Sequence, residues 1–311
     1  MTQEQTLRSP VECSGVGLHS GAPVSLRIIP GPPGTGIVFR RVDLDGFQIE
    51  AISRNVARVS YATSLMKKGV LISTTEHLLS AFIGIGLDNA IVELDNLEVP
   101  ILDGSALPFV EMVLRAGLKK QKKKRVYLRA LKEVEIRDGD KFIALYPGNG
   151  YSVSYAIDFP HPLVGKQHFA VDLMAHNSNG ESEFAGEFYH RDIAAARTFG
   201  FLRDEAALRQ MGLIRGASAK NALILDDRAL TNGPLRYPDE FVRHKVLDLI
   251  GDLALLGHRI LGRIVADRAG HAMHTALVSR LLKDHSLWEA TTNDGSSNPV
   301  PALHREHSAT V

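Results

Sequence analysis

The chain has 311 residues, enough for one large domain or two of ordinary size. Its residues are 44% hydrophobic and 23% charged, which is typical of a globular protein. The formal net charge of +1 provides no overall field to attract nucleic acid, so we expect no nucleic-acid partner. A single cysteine excludes an intramolecular disulfide and the Cys-rich zinc patterns. Residues 1–10 lack a signal-peptide core and no segment is apolar enough to span a bilayer, so we expect a cytoplasmic location.

Strand-like runs and helical segments are grouped along the chain. Strands are indicated by β-branched and aromatic residues between turn residues, and helices by apolar residues three or four positions apart. Because the two types do not alternate strictly, the pattern favours an α+β fold over a doubly wound sheet. In chain order we predict strands at 24–29, 36–40 and 90–94, a helix at 108–118, strands at 125–130, 142–145 and 152–157, and a helix at 238–256.

A run of basic residues, 119–125, separates two segments with folded-domain character. We interpret it as a solvated linker between a first α+β domain, 1–118, and a second, 126–290. The alternative is a patch for anionic lipid or nucleic acid, and the lack of interleaved aromatic residues disfavours nucleic acid. Transient association with a membrane surface is left open. Residues 291–311 are rich in Asn, Ser and Pro and predict a flexible tail.

A weak internal repeat connects the two halves. His77 lies at the start of an apolar stretch that reaches Gly84, and His244 lies at the start of a similar stretch that reaches Gly251. A strand-like run follows each stretch. Each half would then present one histidine from a comparable helix, with a metal at the seam. Chance similarity explains such a repeat equally well.

The helix predicted at 238–256 carries polar residues at every fourth position: Glu240, His244, Asp248 and Asp252. Four-residue spacing turns only about 40° per step, so these side chains form one stripe. A solvated salt-bridging face would have lysine or arginine alternating with the acids. His244 and Asp248 lie one turn apart and can reach one cation, as paired ligands do on zincin helices.

A second fragment places Glu76 directly before His77. Ser73 and Glu76 have the spacing of a capping box, so one interpretation makes Glu76 a helix cap and His77 a core histidine. The functional interpretation makes His77 a metal ligand and Glu76 the base that takes a proton from the attacking water.

Two further fragments offer catalytic side chains. His271 follows a glycine and is either a loop residue or, if it faces the metal, a cationic acid for the leaving amine. Asp252, on the polar stripe, would hold that imidazole charged and oriented. Thr198 offers a hydroxyl beside an apolar residue, Phe199.

Together these fragments resemble the bacterial UDP-3-O-acyl-N-acetylglucosamine deacetylases, which catalyse the committed step of lipid A synthesis. The resemblance covers nearly the whole chain, and the motifs keep the family's order. The matching strings are residues 15–21, 73–77, 99–106, 197–201, 241–248 and 270–272.

The resemblance implies two related two-layer α/β sandwich domains with the active site in the cleft between them. The implied reaction removes the acetyl group from UDP-3-O-(3-hydroxyacyl)-N-acetylglucosamine and gives the free amine and acetate. The partner is then a UDP-linked acylated amino sugar, and we expect a monomer.

The resemblance also implies site residues. Three ligands are expected to hold Zn²⁺, with Fe²⁺ as the alternative metal: His77, His244 and Asp248. The expected base, cationic acid, carboxylate partner and oxyanion donor are Glu76, His271, Asp252 and Thr198. The expected substrate-binding residues are Lys245, Phe199, Phe201, Leu213 and His161.

Several assignments keep alternatives. The family has an insertion that shapes a passage for the acyl chain, and residues 199–225 supply the apolar side chains, although an ordinary core helix would look the same. His19 is a reserve metal candidate or a turn histidine, and Asp103 is an outer-shell residue or part of an Asp-Gly turn. The polar stretch 176–187 departs from the family pattern as a surface insertion.

Two other classes of function use the same features. A non-haem iron oxygenase also binds its metal through two histidines and one carboxylate, but its ligands usually lie close together on strands. A non-enzymatic binding module could use the basic run 119–125, but it leaves the polar stripe of the helix unexplained.

Overall fold

The computed structural model describes residues 3–176, 182–184 and 186–292. The strands form several separate sheets, and helices accompany them. The α+β fold class is confirmed. Within the described ranges, no helix is both long and apolar enough to cross a membrane.

The first half is built on a five-stranded sheet whose central strand pairs antiparallel with one neighbour and parallel with the other. Its elements are β1 (Gln3–Leu7), β2 (Val11–Val16), β3 (Pro23–Pro30), β4 (Ile37–Arg41), β5 (Phe47–Glu50), β6 (Val56–Arg58), β7 (Ser64–Lys67), β8 (Val70–Ile72), α1 (Glu76–Ile85), β9 (Ala90–Leu94), α2 (Leu107–Ala116) and β10 (Leu118–Lys124). The sheet order is β2-β3-β9-β4-β5, and β6, β7 and β8 form a smaller sheet.

Local sequence explains these elements. Side chains of β3 alternate between exposed and buried, as expected for a strand with one face on a core. Helix α1 buries nearly all of its residues, so it lies inside the molecule instead of on its surface. It ends at Gly86, whose φ of 86° favours glycine because other residues would be strained there.

In its described residues, the second half is built on a seven-stranded sheet and four α-helices. Its elements are β11 (Tyr127–Ala130), β12 (Val134–Asp138), β13 (Lys141–Tyr146), β14 (Tyr151–Phe159), β15 (Gly165–Asp172), β16 (Met174–His176), β17 (Ser182–Phe184), α3 (Gly186–Asp192), β18 (Phe199–Phe201), α4 (Leu202–Gln210), β19 (Leu223–Leu225), α5 (Glu240–Leu253), β20 (Arg259–Asp267), α6 (His271–Lys283) and β21 (Trp288–Thr291). Strand β20 is central: it pairs in parallel with β11 and β14 and antiparallel with β13.

Helices α1 and α5 meet where the two halves join. Gly251 of α5 lies so close to the carbonyl of Glu76 that a Cβ atom would overlap it, so the helices approach backbone to backbone. Each helix is followed by a central strand of its own sheet, β9 or β20, in line with the internal repeat. A continuous cluster of buried apolar side chains extends through both halves. This contact brings the polar residues of the two helices together.

The prediction of a solvated linker at 119–125 is wrong, because the run up to Lys124 forms strand β10, antiparallel to β1, and Arg125 is buried and ion-paired with Asp88 at 2.6 Å. Gln121 accepts a hydrogen bond from Asn89 at 2.7 Å, and Lys123 forms an ion pair with Glu4 at 3.2 Å. The remaining lysines are exposed, which suits an edge strand. The division of the chain into two domains stays a prediction.

Two other predictions have mixed outcomes. Both predicted helices are present with shifted ends, as α2 and α5. The polar stretch 176–187 contributes to β16, β17 and the start of α3, whereas 177–181 and 185 lie outside the described residues. The predicted tail also lies outside them from residue 293 onward.

Candidate metal centre and active site

Helices α1 and α5 bring together two imidazoles and one carboxylate. The Nε2 atoms of His77 and His244 lie 3.5 Å and 3.4 Å from Oδ1 of Asp248. The two ring centroids are 4.9 Å apart, and one potential ligand atom from each residue lies within 4.8 Å of the others. All three side chains are buried. Their donor atoms can therefore surround a single cation.

The contacts around this group leave the inward-facing atoms free to coordinate. His244 Nδ1 lies 3.0 Å from the carbonyl oxygen of Ala196, so Nδ1 donates its hydrogen there and Nε2 keeps its lone pair. Lys245 Nζ donates to Oδ2 of Asp248 at 2.8 Å, which leaves Oδ1 for the centre. His77 Nδ1 is buried and has no hydrogen-bond partner in the described part of the chain.

The ionisation states also suit metal binding. Burial lowers the pKa of His244 to about 3, so its imidazole is neutral near pH 7. Burial alone would raise the pKa of Asp248, but His244 and Lys245 outweigh it and hold that pKa well below its ordinary value. Neutral imidazoles and an ionised carboxylate are the forms that coordinate a divalent cation.

Glu76 lies beside this centre on the first turn of α1. Its Oε2 accepts a hydrogen bond from Thr63 N at 3.0 Å, and burial raises the pKa of its carboxyl to about 7. The predicted capping box is not formed, because the helix begins after Thr75 without a side-chain cap and the Ser73 hydroxyl pairs with Ser64 at 2.8 Å. Glu76 is therefore available as a base with a pKa close to neutrality.

His271 is the first residue of α6 and lies against Asp252. Its Nδ1 is 2.7 Å from Asp252 Oδ2, and Asp252 is fully buried. Burial disfavours the charged imidazole, but the Asp252 carboxylate outweighs it and raises the pKa of His271 to about 9. The imidazole is therefore cationic at neutral pH and carries a proton that it can donate.

Two residues that sequence reasoning missed complete this region. Thr63 links the base and the acid partner: its backbone N donates to Glu76 and its hydroxyl donates to Asp252 Oδ1 at 2.5 Å. The second is His274, whose Nδ1 atom lies 2.8 Å from Oδ2 of Asp252. His274 could have been noticed because it lies three positions after His271 on a helix. No sequence signal marks Thr63.

Glu240, the first member of the polar stripe, is not part of the metal group. Its buried carboxylate pairs with Arg197 at 2.8 Å and accepts the backbone N–H of Arg236 at 2.6 Å. Thr198, which follows Arg197 in the chain, donates its backbone N–H to Gly104 O at 2.8 Å. These bonds fix the segment that carries Thr198 between the start of α5 and the turn at Gly104.

Asp103 and His19 have structural partners. Asp103 Oδ1 accepts from Ser105 N at 3.0 Å, as in a turn, and Oδ2 pairs with Arg236 at 2.8 Å. His19 lies outside the three-residue ligand group, and its backbone N donates to Glu98 at 2.9 Å. Both residues hold loops next to the site.

An aromatic group extends from the metal centre. Lys245 Nζ is 5.7 Å from the ring centroid of Phe199, which lies 5.5 Å from the ring of Phe159. Phe201 is 5.9 Å from Phe159 and 5.6 Å from His161, measured between centroids. Three predicted substrate-binding residues, Phe199, Phe201 and His161, are thus brought together. They form an apolar surface next to the ammonium group of Lys245.

Both ring nitrogens of His161 are engaged by the main chain. Nε2 lies 2.7 Å from Asp226 O, and Leu163 N donates to Nδ1 at 3.2 Å. The residue is also only 4% exposed, so little of the ring is left for a ligand to contact. Leu213 lies half-buried in the turn after α4, where its backbone N donates to Leu208 O.

The chain is similar in sequence to known deacetylases. The sequence model of the family described as "UDP-3-O-acyl N-acetylglycosamine deacetylase" matches residues 4–283. A relative from Solibacter usitatus, named UDP-3-O-acyl-N-acetylglucosamine deacetylase, is 52% identical over 301 residues, which are 96% of this chain and 98% of the relative. A relative from Cellvibrio japonicus with the same name is 41% identical over 303 residues, 97% of each chain.

Proposed function

Because the chain belongs to the UDP-3-O-acyl N-acetylglycosamine deacetylase family, we propose that it removes the acetyl group from UDP-3-O-(3-hydroxyacyl)-N-acetylglucosamine, the committed step of lipid A synthesis. The observation that carries the proposal is one arrangement. A possible ligand group, a buried carboxylate with a pKa near 7 and a cationic imidazole lie close together where α1, α5 and α6 meet. These are the parts that hydrolysis of an amide requires.

We assign the metal to His77, His244 and Asp248. Two imidazoles and one carboxylate with an open fourth position are typical of catalytic zinc, and Fe²⁺ is the alternative. A cation held there would supply Lewis acidity, which would polarise the amide carbonyl and make water more acidic. The main-chain bond of His244 Nδ1, which leaves Nε2 free to coordinate a cation, supports this assignment.

The proton transfers are assigned to side chains on either side of the ligands. Glu76 takes a proton from the attacking water, and Thr63 holds its carboxylate in place. His271 gives its proton to the departing amine, since it is charged at neutral pH through its contact with Asp252. The Thr198 hydroxyl donates a hydrogen bond to the substrate oxygen that becomes negative as the carbonyl is attacked.

Substrate recognition is assigned to the aromatic group and Lys245. The ammonium group would contact the polar part of the substrate, and Phe199, Phe201 and Leu213 would line the passage for the acyl chain. Leu202 and Met211, at the ends of α4, are 43% and 57% exposed and offer further apolar surface. The contact of His161 with the nucleotide stays a prediction, because this residue is buried and the main chain engages both of its ring nitrogens. The expectations of a monomer and of a cytoplasmic location stay predictions.

The proposed function is tested by acetate release from the UDP-linked substrate with and without its acyl chain. We expect catalytic efficiency to fall by at least 100-fold without the acyl chain, since each buried methylene contributes about 0.8 kcal/mol. A charged replacement, Phe201→Asp, should reduce turnover of the acylated substrate far more than that of a short-chain analogue. Equal efficiency with both substrates would leave only a general sugar deacetylase.

The pH dependence of the rate is expected to be bell-shaped. Glu76 must be ionised, so the rate falls on the acidic side of its pKa of about 7, and a bound cation moves this limb to lower pH. His271 must be protonated, so the rate also falls as pH rises through about 9. In His271→Ala the alkaline limb should disappear. Its persistence would assign that limb to another group.

A further inference from the structure

A second histidine, His274, lies behind the acid and has no part in the proposed proton transfers. It is 1% exposed, and its Nδ1 lies 2.8 Å from Oδ2 of Asp252. His271 Nδ1 approaches the same oxygen at 2.7 Å, while Thr63 donates to the other oxygen, Oδ1, at 2.5 Å. Two imidazoles therefore share one carboxylate oxygen.

The surroundings of His274 fix its ring. The Tyr155 hydroxyl lies 3.2 Å from Nε2 and 2.6 Å from Ala269 O, in the segment that leads into α6, and its one hydrogen can go to either of these acceptors. Burial lowers the pKa of His274, so the ring is neutral. It gives its Nδ1 hydrogen to Asp252 without placing a second cation beside His271.

We propose that His274 is a positioning residue for the acid of this deacetylase: it holds the Asp252 carboxylate and draws part of its charge away from His271. The inference rests on the proposed function. A neutral donor on the shared oxygen weakens the hold of Asp252 on the His271 proton, so that proton passes more readily to the leaving amine. In the described structure, the other charged or titratable groups that interact with His271 include Asp248 from α5 and, from the first half, Glu76 and His19.

The central variant is His274→Leu, which removes the donor and keeps an apolar side chain. We expect kcat for acetate release to fall by roughly 10–100-fold, the size expected for one hydrogen bond to a charged group, with KM and bound metal unchanged. The alkaline limb should move to higher pH, because Asp252 then holds the His271 proton more tightly. A purely structural role would not move that limb upward.

Matched variants separate the two sides of the ring. His274→Asn keeps a donor near the position of Nδ1 and should restore both kcat and the alkaline limb. His274→Gln places its amide near the position of the histidine Nε2 and should behave like His274→Leu. It therefore replaces the leucine variant in the test if that variant does not fold. Tyr155→Phe removes the hydroxyl on the far side and should leave the alkaline limb in place.

The contradicting outcomes are distinct. An alkaline limb in His274→Leu that stays in place or moves to lower pH would overturn the proposal, and so would an asparagine variant no better than leucine. Failure of the proposed function would look different, since the unsubstituted protein would release no acetate. NMR of the His271 imidazole needs no substrate, and its titration should move to higher pH in His274→Leu in either case.

Discussion

Replacing Glu76 with alanine is expected to lower kcat for acetate release by roughly 10²–10⁴-fold, the usual contribution of acid–base catalysis, while bound metal stays at the level of the unsubstituted protein. The reason is geometric. The Glu76 carboxylate is held by Thr63 N at 3.0 Å and is not a member of the three-residue ligand group. A base removes protons without holding the cation, so its loss should affect rate alone.

Metal analysis and steady-state rates on the same preparation check this result. Glu76→Gln should be as slow as Glu76→Ala, because an amide fills the same space without accepting a proton. Glu111→Ala, at an exposed glutamate on α2, is the control and should leave both quantities unchanged. Loss of metal in Glu76→Ala would make Glu76 a ligand, and an undiminished rate would assign the base to another residue.

His244→Ala is expected to lose most of its metal and, with it, acetate release. Loss of even an outer-shell partner typically weakens metal binding by about 10–100-fold, so loss of a ligand should cost more than that. His77→Ala and Asp248→Ala should behave alike, because all three donors converge on one point. His285→Ala, at an exposed histidine, is the matched control. An unchanged metal content in His244→Ala would remove this residue from the ligand set.

Sequence reasoning found the parts of the site that have helical spacing. Three stripe residues, His244, Asp248 and Asp252, face one region because four-residue spacing keeps them on one side of α5. That α1 would bring His77 and Glu76 to the same region could not be derived from spacing. The placement of these two residues depends on the close approach of α1 and α5, and the internal repeat and the family resemblance suggested it.

The errors came from long-range contacts that local patterns do not contain. The capping box has the right spacing, but the Ser73 hydroxyl pairs with Ser64 of a neighbouring strand instead. A run of lysines has no alternation of polar and apolar residues, so β10 could not be distinguished from a linker. Thr63 directly precedes β7, far from Asp252 in the chain, and only the folded structure brings the two together.

The central claim, that a cation held by His77, His244 and Asp248 is required for deacetylation, is tested most directly by restoring metal to metal-free protein. Chelator-treated protein is titrated with Zn²⁺, and in parallel with Fe²⁺, while acetate release from the UDP-linked acylated substrate is followed. We predict no release without metal and full activity at one ion per chain, with no restoration in His244→Ala at that stoichiometry. Undiminished acetate release from protein shown to be free of metal would contradict the account.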